Sequence, residues 1–214
     1  MISKKAFSLA DQIYEQLETE ILSGAIPRGE IITETKIATR LGVSRTPVRD
    51  ALLKLEADHM VENTPKGLQV VGITDQDASI IYTIREKIES MAVGLAAQNA
   101  TEEQIAEMKE ILDLQYYYFE KENAEKIREQ DSAFHEALYA STGYPVLKDT
   151  LRDLHRKIQK YRKLAVSSHN RAEDSVNEHR EILDAIIARD VARAEEAGLN
   201  HIKKARERIA ERHI

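Results

Sequence analysis

Apolar residues recur three and four positions apart along most of this chain and alternate only briefly, near residues 60–71. Wherever the longer period persists it predicts amphipathic helix, and the alternation predicts strand. Three helices are expected before residue 60. Ser8 can cap the first, with Asp11 at the N3 position, and Gly24 closes it. The second spans Glu34–Leu41 and ends at Gly42. The third opens at Ser44, expected as its N-cap, with Pro47 in the first turn where a missing N–H does no harm. Its inward residues are expected to be Val48, Leu52, Leu53 and Leu55. Two strand-like runs follow, Met60–Glu62 and Leu68–Val71, around the turn signal Thr64-Pro65-Lys66-Gly67.

From Thr74 onward the strand signal vanishes. Six helical segments are expected, at roughly 75–99, 102–121, 124–141, 145–166, 170–189 and 191–211. Thr101 with Gln104 fits a capping box, and Gly143-Tyr144-Pro145 is a break. The fold expected is therefore mainly α. A winged helix-turn-helix domain occupies residues 1–73, and an all-α antiparallel helical bundle occupies 74–214.

Composition narrows the chemistry. The chain has 214 residues, no cysteine and a formal net charge of −6. Disulfides, thiolate nucleophiles and cysteine-zinc sites are excluded. No apolar run is long enough to span a bilayer, and a cytoplasmic protein without a membrane partner is expected. The acidic balance argues against coating nucleic acid everywhere, but footprints are set by local distribution. Between Lys36 and Lys54 the positive residues are Lys36, Arg40, Arg45, Arg49 and Lys54 against Asp50 alone, so 5 − 1 = +4.

That cluster lies on the expected helix-turn-helix, whose second helix offers its N-terminal residues to base edges in the major groove. Arg45 and Arg49 stand one turn apart there. Arginine pairs bidentately with guanine O6 and N7 or clamps a phosphate. Ser44 and Thr46 can add phosphate contacts, and Lys66 with Gly67 would extend the footprint into a wing. Any one of these residues taken alone reads as part of a solvated charged face; it is turn, patterned helix and basic wing in sequence that point to DNA.

The second half carries a different constellation. Asp131 and His135 sit four apart, on the stripe of Ile127, Phe134 and Leu138. His179 shares a face with Ile182, Leu183 and Ile186, and His201 follows Ala194, Ala197 and Gly198. Three neutral imidazoles and a carboxylate can hold a divalent cation of the Zn, Ni or Mn type, although each histidine alone reads as a hydrogen-bonded core residue. His155, His169 and His213 read as surface or capping groups. Arg85 lies on the stripe of Ile81, Ile84, Ile88 and Leu95, and reads either as one half of a buried ion pair with Glu89 or as a clamp for an effector carboxylate. The run Tyr116-Tyr117-Tyr118-Phe119 reads as helix packing. A metal-dependent enzyme is a further reading, with Glu178 and Glu136 expected to point off the ligand faces and no H-E-x-x-H motif present.

The run EIITETKIATRLGVSRTPVRDALLKLEADHMVENTPKGLQVV resembles the winged-helix domain of the GntR family of bacterial transcription regulators. LGVSRTPVRDAL is its most specific piece, and SGAIPRGEII is similar to the family's linker into the second helix. The resemblance implies DNA contacts by Arg45 and Arg49, supported by Ser44, Thr46 and the wing. Thr35 stands where many members carry a DNA-contacting arginine. His59 stands where the third helix commonly ends in glycine, so a different path into the wing is expected. The remainder resembles the FCD ligand-binding domain, through IREKIE, DSAFHEAL, RAEDSVNEHREILDAI and the late His201. Six helices are similar to its VanR-type subgroup. In metal-binding members, residues matching Asp131, His135, His179 and His201 hold the cation. The resemblance implies a homodimeric regulator, expected to be a repressor, on an inverted-repeat operator of double-stranded DNA. A small organic acid is the expected effector, and a cation acting as the signal itself is the alternative.

Overall fold

The computed structural model describes residues 8–158 and 169–210. The chain divides into two compact units, Met1–Asp75 and Gln76–Ile214.

In the first unit α1 spans Leu9–Ser23, α2 Glu34–Leu41 and α3 Arg45–Ala57. Ser8 and Asp11 form the expected capping box, and Gly24 ends α1 in the left-handed region. Thr33 caps α2 by accepting from the Lys36 N–H, and left-handed Gly42 turns the chain into α3. Three strands, β1 Ile31–Ile32, β2 Val61–Thr64 and β3 Gly67–Val70, form an antiparallel sheet in the order β1-β3-β2. The β2–β3 hairpin is the wing, with Thr64 paired to Gly67 across its tip. The expected strands are thus shifted by a residue or two, and β1 was not expected. Gly67 adopts φ +124°, and a Cβ there would lie 3.1 Å from Ile31 Cγ2 and 3.3 Å from the Ile32 carbonyl oxygen. Glycine is what lets β1 close on the wing.

Val48, Ala51, Leu52 and Leu55 seat α3 against Ile13, Leu17 and Ile21 of α1 in the first core. Each of these buried valine, leucine and isoleucine side chains contributes about 1.5–3 kcal/mol by leaving water. Leu53 is the exception, exposed by 56%. It lies one turn beyond Arg49, on the outward stripe of α3 instead of the core stripe. His59 holds φ +58°, so the left-handed step after α3 is taken by a histidine and the different path expected there does not occur.

In the second unit α4 spans Asp75–Asn99, α5 Glu102–Glu120, α6 Ala124–Ser141 and α7 Pro145–Lys157, followed by α8 His169–Ile187 and α9 Val191–Ala210. Thr101 and Gln104 form the expected capping box, and Pro145 opens α7. The expected extension of the α7 helix to residue 166, the last residue of the final expected segment, His213 and the side chain of His169 lie outside the described residues. Helix α5 packs on α6 and α8, and α8 packs on α9. Ala92, Val93, Ala96 and Ala97 of α4 join Met108, Leu112, Phe134, Leu138, Leu151, Ile182 and Ile186 in a second core. Ile84, expected on the buried stripe of α4, is 42% exposed. Among the described residues no helix is long and apolar enough to cross a membrane.

Candidate functional site

Two polar constellations stand out, one in each unit. In the first, the turn at Gly42 delivers α3 with Arg45 and Arg49 at its exposed front. Ser44 takes the extended N-cap backbone, but its hydroxyl makes no capping bond, contrary to expectation. Thr46 and Lys36 are exposed beside it. Lys66 sits at the wing tip, its N–H donating to Thr64 Oγ1. A cleft of about 340 Å³ opens between α3 and the wing, bordered by Glu34, Arg49, Leu53, Asn63 and Gly67.

The local excess of positive charge is not bare. Arg40 pairs with Glu20, and Lys54 with Asp11, both from α1. Glu34, the first residue of α2, holds both arginines of α3. Arg49 donates from Nε to Oε1 at 2.7 Å and from Nη2 to Oε2 at 3.0 Å. Arg45 donates from Nε and Nη2 to Oε2 at 3.3 and 2.9 Å. Arg49 first, then Arg45, lowers the Glu34 pKa to about 2. Four of the five cations counted in the sequence thus have acidic partners. Sequence periodicity missed these because the pairs join different elements.

In the second unit, α6, α8 and α9 bring His135, His179 and His201 together. All three are buried, and one ligand nitrogen from each lies within 4.8 Å of the others. The His179 and His201 ring centres are 4.8 Å apart, and Phe134 stacks on His179 at 4.5 Å. The Nδ1 side of each imidazole faces an oxygen. His135 Nδ1 lies 3.0 Å from Glu89 Oε1, His179 Nδ1 3.0 Å from Gln115 Oε1, and His201 Nδ1 2.9 Å from Glu178 Oε2. Carboxylate and carbonyl oxygens only accept, so each Nδ1 carries a proton, and in the neutral ring it is Nε2 that offers the lone pair. Asp131, buried on α6, places Oδ1 3.7 Å from His179 Nε2, at the margin of the histidine group. Burial pushes the His135 pKa down, against the opposite pull of Glu89, and a neutral imidazole is the form that ligates.

Arg85 and Glu89 realise the ion-pair reading. Both are buried, with Arg85 Nε 2.8 Å and Nη2 2.7 Å from Glu89 Oε2. The Tyr139 hydroxyl donates to Glu89 Oε1 at 2.8 Å. Burial alone would raise the Glu89 pKa, but Arg85 and then His135 hold it well below the usual carboxylate range. His155, expected at the surface, is buried, with Nδ1 3.4 Å from Arg85 Nη2 and its ring centre 4.6 Å from that of His135. Its signal was legible, since Leu151, His155 and Ile158 recur at helical spacing and are all buried. Glu178, expected to point away, is buried on His201 because α8 buries a stripe wide enough to include Ser175, Glu178 and Ile182. Glu136 does lie toward solvent, 3.0 Å from Lys148. Gln115 and Tyr139 were missed; both lie on the buried faces of their helices. Tyr116 and Tyr117 are exposed and Phe119 is buried, so the aromatic run packs only through part of its length.

Comparison with known proteins matches both halves. The family of bacterial regulatory proteins named gntR matches residues 9–67, and the FCD domain matches residues 80–204. The uncharacterized HTH-type transcriptional regulator YdhC of Bacillus subtilis is 33% identical over 197 residues, covering 89% of this chain and 86% of its own. The HTH-type transcriptional repressor RspR of Escherichia coli is 27% identical, covering 92% and 87%. The solved structure of E. coli McbR/YncC superposes with a TM-score of 0.81 at 25% identity, over 98% of this chain and all of that one. These relatives are transcription regulators and not enzymes, and the chain belongs to the GntR family of DNA-binding transcription regulators, in the branch that carries an FCD domain.

Proposed function

We propose that this regulator responds to a small organic acid bound beside a divalent cation in its helical bundle, and that it represses transcription as a homodimer on an inverted-repeat operator. The observation that carries the proposal is the convergence of His135, His179 and His201 with every Nδ1 turned to an oxygen. Core histidines kept only for packing have no reason to gather three ring nitrogens within 4.8 Å of one another. The donor set fits a borderline cation such as Zn, Ni or Mn, with Asp131 available at the margin. A cation there would attract an anion and polarise its carboxylate. Arg85, the guanidinium behind His135, is the group that would receive the rest of the acid. Several relatives are named repressors, which supports that sense of regulation. At the other end, Arg45 and Arg49 would read bases, while Ser44, Thr46, Lys36, Lys66 and Gly67 would track the backbone.

The test is operator affinity measured with chelated protein, with metal-loaded protein, and with metal plus a panel of small acids. An acid that changes affinity only in the metal-loaded protein is the expected result. A full change produced by metal alone would make the cation the signal. Identical affinity under all conditions would remove the effector from the proposal.

A further inference from the structure

Glu34 is an unexpected residue where it stands. It is the first residue of α2, on the helix-turn-helix surface that meets a polyanion, where a carboxylate is repelled by every phosphate. What it does in return is visible in the atoms it holds. Both guanidiniums of α3 bind it through the same edge, the one formed by Nε and Nη2. A guanidinium has a second fork at its tip, formed by its two terminal nitrogens, and Nη1 takes no part in either pair. The tip fork is the one that can reach guanine O6 and N7 end-on. Gripping the side edge therefore restrains the side chain without consuming the edge that reads.

The restraint matters because these side chains are exposed by 62% and 59%. Unheld arginines sample many rotamers and settle on any nearby phosphate, which carries no sequence information. An isolated surface ion pair would restrain little. Here one carboxylate takes four hydrogen bonds from two guanidiniums, which fixes the second arginine relative to the first.

We propose that Glu34 is a specificity-determining residue, which orients the tips of Arg45 and Arg49 toward base edges and withholds both from indiscriminate phosphate contact. The inference rests on the base-reading role proposed for the two arginines. Repulsion from phosphate weakens every complex alike, whereas orientation favours only the one with matching bases. Glu34 thus widens the gap between right and wrong sequences.

The test uses the full chain, with Glu34→Gln and Glu34→Asp. Glutamine removes the charge. Aspartate keeps the charge but is shorter by one methylene, about 1.5 Å, and cannot span both guanidiniums. Duplexes enriched by the wild type from a random pool supply the matched sequence, and a scramble of it supplies the control. Affinities for both are measured across a salt series, with circular dichroism confirming the fold. Both variants are expected to lose about tenfold or more of the matched-to-scrambled ratio. Glu34→Gln alone should gain affinity for the scramble, with a salt slope steeper by about one. If Glu34→Asp keeps the wild-type ratio, or Glu34→Gln tightens both duplexes equally, Glu34 is only an electrostatic brake and the inference fails. Should the wild type enrich no sequence, base reading by the arginines falls first and takes this inference with it.

Discussion

Glu178 illustrates how much one buried carboxylate decides. By accepting from His201 Nδ1 it fixes both the tautomer and the ring orientation of that histidine. Glu178→Ala is expected to weaken divalent-metal binding by about 10–100-fold, read by competition with a chromophoric chelator. Unchanged affinity would show that His201 does not ligate. His135 carries a pH dependence. Burial lowers its pKa below the ordinary 6.5, so below that value the unfolded chain takes up the proton more readily. The stability its neutral form contributes is present above about pH 6.5 and is lost as the pH falls. In metal-free protein, the melting advantage of wild type over His135→Gln should shrink between pH 7.5 and 5.5. An advantage that grows toward acid would mean that His135 is protonated in the fold. Spacing placed the three histidines and Asp131 on apolar helical stripes, and all four are buried. It could not find Glu34 as the partner of Arg45 and Arg49, since a pair 11 or 15 residues apart leaves no periodic trace.

Helices α4 and α9 approach each other through glycine. A Cβ on Gly198 would lie 2.7 Å from Val93 Cγ2, and one on Gly94 would lie 2.6 Å from Glu195 Cγ. The Ser90 hydroxyl donates to the Glu195 carbonyl in the same contact. Gly198 precedes His201 by less than one turn, so the spacing of these helices also sets where that imidazole arrives. Gly198→Ala is expected to cost about 1–3 kcal/mol of stability through overpacking. It should also weaken metal binding, whereas Gly94→Ala, opposite a flexible glutamate, should do less of both. Calorimetric melts and the same chelator competition measure the two effects. Element boundaries were legible where caps are local: α2 spans Glu34–Leu41 and ends at Gly42, as expected. Strand β1 was not legible, because two residues pair with β3 some 37 positions on, and only the fold brings them together. Leu53 and Ile84 face solvent although apolar, because their angular positions on α3 and α4 lie off the buried stripes, and a lone exposed apolar residue is common on a surface.

The two units each close a hydrophobic core of their own, one built from α1, α3 and the sheet, the other from the bundle. A ligand confined to one core stabilises that core by mass action. Metal at about 100 times its dissociation constant should stabilise the bundle by about 2.7 kcal/mol. His179→Ala should abolish the shift; a shift that survives it would place the ion elsewhere. The interior pair of Arg85 and Glu89 has a consequence for what else can enter. Arg85 already grips a carboxylate in the buried interior, so a guest acid cannot simply add itself. It must trade places with Glu89, and stranding a carboxylate in that interior costs about 3–5 kcal/mol. A guest escorted by its own cation brings compensating charge with it, and each then tightens the other's hold by one common factor. In the proposed reading, the bundle is a coincidence detector that answers when acid and ion arrive together.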